Sequence, residues 1–185
     1  MGVLLILPRG LTVQLQRERF FPVPAATLRD VLTSREFYQA RFASSRGEDA
    51  AQFEAFGDTP AGFRIAVSRA LRIKTDRLPA VARKFIGSSA TLLTDFLWLE
   101  RAATPYRCRF SFTLAKVPVK VEGLMQIEEC EGGCRQRLSA DLSSSVPLIG
   151  NKLVALVSGQ VDRALDADYE ATLAYLNAPD VAGLA

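Results

Sequence analysis

Residues 151–177 read NKLVALVSGQVDRALDADYEATLAYLN. Leu153, Val154, Leu156, Val157, Val161, Leu165, Tyr169, Leu173 and Leu176 fall at helical spacing. Asp162, Arg163, Asp166, Asp168 and Glu170 fill the remaining positions. The pattern predicts one helix over Asn151–Asn177, about 40 Å long at a rise of about 1.5 Å per residue. Its apolar stripe is unbroken, so it must lie along an apolar surface of equal length. Leu156, Val157 and Leu165 are expected to be fully buried.

Upstream of that helix the period is two. Gln136, Leu138, Ala140 and Leu142 alternate with Arg135, Arg137, Ser139 and Asp141. Gly132-Gly133 turns the chain back to a strand in which Val119, Val121, Gly123, Met125 and Ile127 share a face. Tyr106, Cys108, Phe110, Phe112 and Leu114 form the face of another. Thr91–Glu100 is apolar on both sides, with Leu92, Phe96 and Trp98 against Leu93, Leu97 and Leu99, as in a strand covered twice or pairing at an interface. Phe63, Ile65 and Val67 mark one more strand, and Ala50–Phe56 a further one. Leu78–Gly87 breaks the pattern and is read as a loop or helical turn. At the front, Thr12–Phe21 alternates until Pro22 and Pro24 stop it. Two short helices follow, one from Pro24 and a second that Ser34 can cap.

Consecutive strands with short links imply antiparallel pairing, and segregated helices imply an α+β fold. The expected architecture is a helix grip: a curved antiparallel sheet of about six to seven strands wrapped around the C-terminal helix. The two short helices after the first strand close one end. One domain is expected over residues 11–178, with 1–10 and 179–185 as tails.

Composition excludes several chemistries. The chain has 185 residues and no histidine, so no Ser-His-Asp or Cys-His machinery exists. Zinc would depend on cysteine and carboxylates alone; none is expected, nor is any cofactor. Cys130 and Cys134 flank a turn and read as two unpaired thiols rather than a redox pair or half a metal site, and Cys108 reads as a small core residue. The net charge of +3 and the lack of a basic run argue against a nucleic-acid partner. No stretch approaches a membrane span. The opening Met1-Gly2-Val3-Leu4-Leu5-Ile6 has neither a signal-peptide basic region nor a myristoylation pattern, so a cytoplasmic location is expected.

Three stretches then point to a family. They are Phe20-Phe21-Pro22-Val23-Pro24 with Val31-Leu32-Thr33 and Glu36-Phe37-Tyr38; Arg77-Leu78-Pro79 followed by the strand holding Trp98; and Val146-Pro147-Leu148-Ile149-Gly150-Asn151-Lys152 opening the last helix. Their order resembles the SRPBCC, or START-like, superfamily that includes the birch pollen allergen. Within it, the chain is similar to a bacterial domain-of-unknown-function family, number 2505. The resemblance implies the helix-grip fold and an interior able to take an apolar ligand. It carries over no catalytic residue.

The candidate site follows from geometry. A curved sheet touches a straight helix well only along part of its length, so a cavity is expected where the two diverge. Phe96, Trp98, Phe110, Phe112 and Met125 are its expected walls. Leu156 from the long helix and Phe37 and Phe42 from the short ones are its expected roof. The expected partner is an apolar small molecule such as a lipid, isoprenoid or polyketide-like compound. Two other readings stay open: a cyclase-like or hydrolase-like enzyme using a buried carboxylate, and a structural module with a filled core. The strand acids Asp95, Glu122 and Asp141 are read as outward and solvated. Arg107, Arg109, Arg135 and Arg137 would form a basic strip if their strands were neighbours. Pro147–Gly150 lacks the phosphate-loop pattern and reads as a turn that Asn151 could cap.

Overall fold

A computed structural model of the chain describes residues 12–42, 51–72, 89–115, 117–144, 146 and 150–178. The two expected tails, the Leu78–Gly87 segment with Arg77-Leu78-Pro79, and the Pro147–Ile149 turn lie outside these residues. The elements are β1 (Val13–Phe21), α1 (Ala25–Thr33), α2 (Arg35–Phe42), β2 (Gln52–Thr59), β3 (Gly62–Arg72), β4 (Ser89–Glu100), β5 (Tyr106–Leu114), β6 (Lys120–Cys130), β7 (Gly133–Ser143) and α3 (Gly150–Leu176). The second strand starts at Gln52 rather than Ala50 and runs on to Thr59, with a bulge between Phe53 and Ala55.

All seven strands join one antiparallel sheet in the order β1-β7-β6-β5-β4-β3-β2. The first strand thus pairs with the last, and α1 and α2 carry the chain from one edge to the other. Ser34 caps α2, its Oγ accepting from the Phe37 N–H at 3.2 Å. The β6–β7 turn has Gly132 at φ +77°, the left-handed region that a two-residue hairpin demands and glycine enters freely. Because β6 separates β5 from β7, Arg107 and Arg109 are not beside Arg135 and Arg137. The condition for a basic strip is not met, and Arg135 and Arg137 pair with Glu18 and Glu128 on the outer face.

The concave face carries the core, with Ile65, Trp98, Cys108, Phe110, Val121, Ile127 and Leu142 all buried. Here α3 packs chiefly on β1 and β7. The inward face of β1 runs Val13, Leu15, Arg17, Arg19, Phe21. Its two arginines pair with Asp162 and Asp166 of α3. Tyr169 adds an edge-on contact to Phe21, with ring centroids 5.1 Å apart, and its hydroxyl donates to the Phe20 carbonyl at 3.0 Å. Half-exposed ion pairs like these are each worth at most about 1 kcal/mol. Their effect is orientation: they hold α3 toward one edge of the sheet.

Leu153, Val154, Val161 and Leu165 are buried along α3. Leu156 and Val157 are only half-buried against the core, contrary to expectation, because the helix stands off the central strands. The helix begins at Gly150, so Asn151 lies within its first turn rather than capping it.

Leu153 is 1% exposed in solid packing, whereas Leu165, at 8%, faces the space beneath the helix. Leu153→Ala is expected to cost about 2–5 kcal/mol in equilibrium urea denaturation, and Leu165→Ala distinctly less, having fewer contacts to lose. Equal losses would mean that α3 closes down on the sheet along its full length.

Candidate functional site

A cavity of about 340 Å³ lies between the middle of α3 and the concave face of β3–β7, with α2 across one end. That lies at the small end of the roughly 300–1,000 Å³ usual for small-molecule sites. Strand alternation builds the walls. Val67 comes from β3, Phe96 from β4, Phe110 and Phe112 from β5, Val121 and Met125 from β6, and Leu138 from β7. Val157, Val161 and Leu165 of α3 face them.

The aromatic wall is continuous. Ring centroids lie 5.3 Å apart between Phe110 and Phe112, and 6.4 Å apart between Phe96 and each of these. Gly123 sits opposite Phe110 in the β5–β6 register. A Cβ there would come within 2.3 Å of both the Phe110 ring and the Ser139 carbonyl oxygen. Glycine at this point lets the ring lie flat against the sheet, which keeps the cavity floor low.

Five of the expected site residues line this space: Phe96, Phe110, Phe112, Met125 and Phe42. Trp98, Phe37 and Leu156 do not. Trp98 is 1% exposed and packed near the end of β4, its Nε1 enclosed without a partner among the described residues. Phe37 is also 1% exposed and packs edge-on to Tyr175 at 5.2 Å. Leu156 lies on the flank of α3 rather than under it.

The polar lining gathers mainly where α2 meets α3, and the sequence reading did not place it. Asp168 of α3 pairs with Arg41 of α2. Its side chain is 32% open, and that surface belongs to the cavity lining; Oδ1 itself is enclosed and has no polar contact other than Arg41 among the described residues. Burial pushes the Asp168 carboxyl above its ordinary range, while Arg41 pulls it back. Tyr38 is buried and its hydroxyl donates to the Leu32 carbonyl at 3.2 Å. Burial raises this phenol far above its usual value, so it stays neutral. Gln136 on the β7 wall donates to the Met125 sulfur at 2.9 Å, a weak acceptor. Arg69 of β3, Thr94 of β4 and Gln160 of α3 also line the space.

Other candidates fall away from this space. Asp95, Glu122 and Asp141 point outward and meet Arg64, Lys120 and Gln14. They line a wider depression of about 790 Å³ on the convex face, which is shallow and open to solvent. Burial pushes the Cys134 thiol up to about 12 and the Cys108 thiol higher still, so neither is a ready nucleophile. Among the described residues no three His, Cys, Asp or Glu side chains gather as a metal site, and no helix is long and apolar enough to cross a membrane.

A family model described as "protein of unknown function (DUF2505)" matches residues 17–176. The chain belongs to the DUF2505 family. No curated protein matches it in sequence. Solved structures share the helix-grip fold of this DUF2505 protein. The Zhui aromatase/cyclase from Streptomyces sp. R1128 has a TM-score of 0.61 at 12% identity, over 89% of this chain and 93% of that one. Ara h 8.0201 has 0.56 at 14%, over 89% and 97%. Norcoclaurine synthase from Thalictrum flavum has 0.55 at 11%, over 90% and 87%. At such identities the likeness is one of fold.

Arg41→Gln is expected to cost up to about 3 kcal/mol, the low end for breaking a buried ion pair because Asp168 partly faces the cavity. Adding Asp168→Asn should recover most of that. The raised carboxyl means that the folded chain binds this proton more readily than the unfolded chain. Its contribution is therefore complete in acid, below the unfolded value, and is lost as pH rises through the folded value. Urea denaturation at stepped pH should show the stability of Asp168→Asn, relative to wild type, growing as pH rises through the acid range. A difference that stays constant with pH would contradict this account of Asp168.

Proposed function

We propose that this DUF2505 protein holds one apolar small molecule in the space between the concave sheet face and α3. The observation that carries the reading is the composition of that space: a partly open volume walled mainly by Phe, Val, Leu and Met, with its charged groups at one end. Apolar pockets with few convergent polar groups are the usual form of a small-molecule site. The size suits a small chain or fused-ring compound, being at the low end of the roughly 300–1,000 Å³ usual for ligand pockets. Hydrophobic walls separate neighbouring homologues by only about 1–3 kcal/mol per methylene, so a range of related molecules should bind.

A space this large disfavours the structural-module reading. The enzyme reading has one observation on its side, the partly buried Asp168 carboxylate in the cavity. Its ion pair with Arg41 engages Oδ1, which suits a fixed structural charge better than a free general base.

Titration with the neutral probe N-phenyl-1-naphthylamine tests the proposal. Saturable one-to-one binding is expected, with energy transfer from Trp98, the only tryptophan. Phe112→Arg should weaken it at least about tenfold by placing a charge in the apolar wall, at about 1.4 kcal/mol per factor of ten. A probe that fails to bind, or binds equally well to Phe112→Arg, would remove the cavity as the site.

A further inference from the structure

The charged end of the cavity does not balance. Among the described residues two guanidinium groups, of Arg41 and Arg69, line it, against one carboxylate, Asp168. Asp168 is paired with Arg41. Phe42 stands between the two arginines: the Arg41 Cζ lies 5.5 Å and the Arg69 Cζ 5.6 Å from its ring centroid. A ring face steadies a cation but does not neutralise it.

Arg69 occupies an unusual position. The inward face of β3 runs Phe63, Ile65, Val67, Arg69, so the strand's period carries this arginine into the apolar interior rather than out to solvent. It is half-buried and has no carboxylate partner among the described residues. Its five N–H donors form a planar fork suited to two oxygens of one anion.

We propose that Arg69, beside Arg41, receives the anionic head of an amphipathic ligand, a monocarboxylate, whose apolar body fills the cavity toward Phe110 and Phe112. This rests on the reading of the cavity as a ligand site and adds the chemical class of what enters it. The carboxylate supplies the missing negative charge and accepts from the Arg69 fork. The tail gains burial against the aromatic wall. A cationic ligand is disfavoured because Asp168, the only carboxylate lining the space among the described residues, is already engaged.

Three probes of equal chain length separate the outcomes: decanoate, 1-decanol and decylammonium, measured by displacement of N-phenyl-1-naphthylamine at pH 7. Decanoate should bind about 10- to 100-fold more tightly than decanol, the worth of one charge-assisted contact. Decylammonium should bind most weakly. Arg69→Gln should bring the acid-to-alcohol ratio close to one, and Arg69→Lys should retain part of it. If acid and alcohol bind alike in wild type, or the ratio survives Arg69→Gln, the anion site is overturned while the apolar cavity stands. Decylammonium binding most tightly would overturn it in favour of Asp168. If no probe binds, the cavity reading itself fails, and this proposal fails with it.

Discussion

A straight helix of 27 residues cannot stay in contact with a curved sheet along its whole length, and the rest of this structure follows from where contact is made. Contact is concentrated along β1 and β7, where Arg17 and Arg19 meet Asp162 and Asp166, and where Tyr169 stacks edge-on against Phe21. The ion pairs add little free energy. They set the line along which α3 lies, and so leave the central strands without a helix directly upon them. The uncovered apolar side chains of β3–β6 and the underside of α3 then bound a space that α2 closes at one end.

That geometry explains why the interior divides. At one end Trp98, Phe37 and Leu28 pack solid, each at most 1% exposed, and the fold gains its burial there. Under the middle of α3 the facing walls are too far apart to interdigitate, and Gly123 keeps Phe110 low instead of filling the gap. Where α2 and α3 meet, charges replace apolar side chains, and Arg41–Asp168 ties the two helices together. A ligand site of this kind needs few dedicated residues. It needs a helix held off a sheet.

Much of this was legible in the sequence, because alternation and helical spacing report which face a residue occupies. Phe96, Phe110, Phe112 and Met125 were assigned to the concave face on those grounds. Trp98 shares their face yet misses the cavity: a period of two says nothing about position along a strand, and Trp98 lies near the end of β4 where packing is closed. The charged lining was overlooked for a different reason. Asp168 falls on the stripe Val161, Leu165, Asp168, Thr172, Leu176, and Arg69 on the face Phe63, Ile65, Val67, so spacing alone pointed both inward. Reading charge as a mark of the outer face overrode that signal. The partnership of Arg41 with Asp168, 127 positions apart (168 minus 41), depends on how α2 and α3 meet, which no local pattern encodes.

The most direct test of the account is a crystal held under xenon pressure, since xenon enters dry apolar cavities large enough to hold it. The account predicts xenon density beneath α3, bounded by Phe110, Phe112 and Val161. Side chains in van der Waals contact across that space, with no xenon between them, would contradict it.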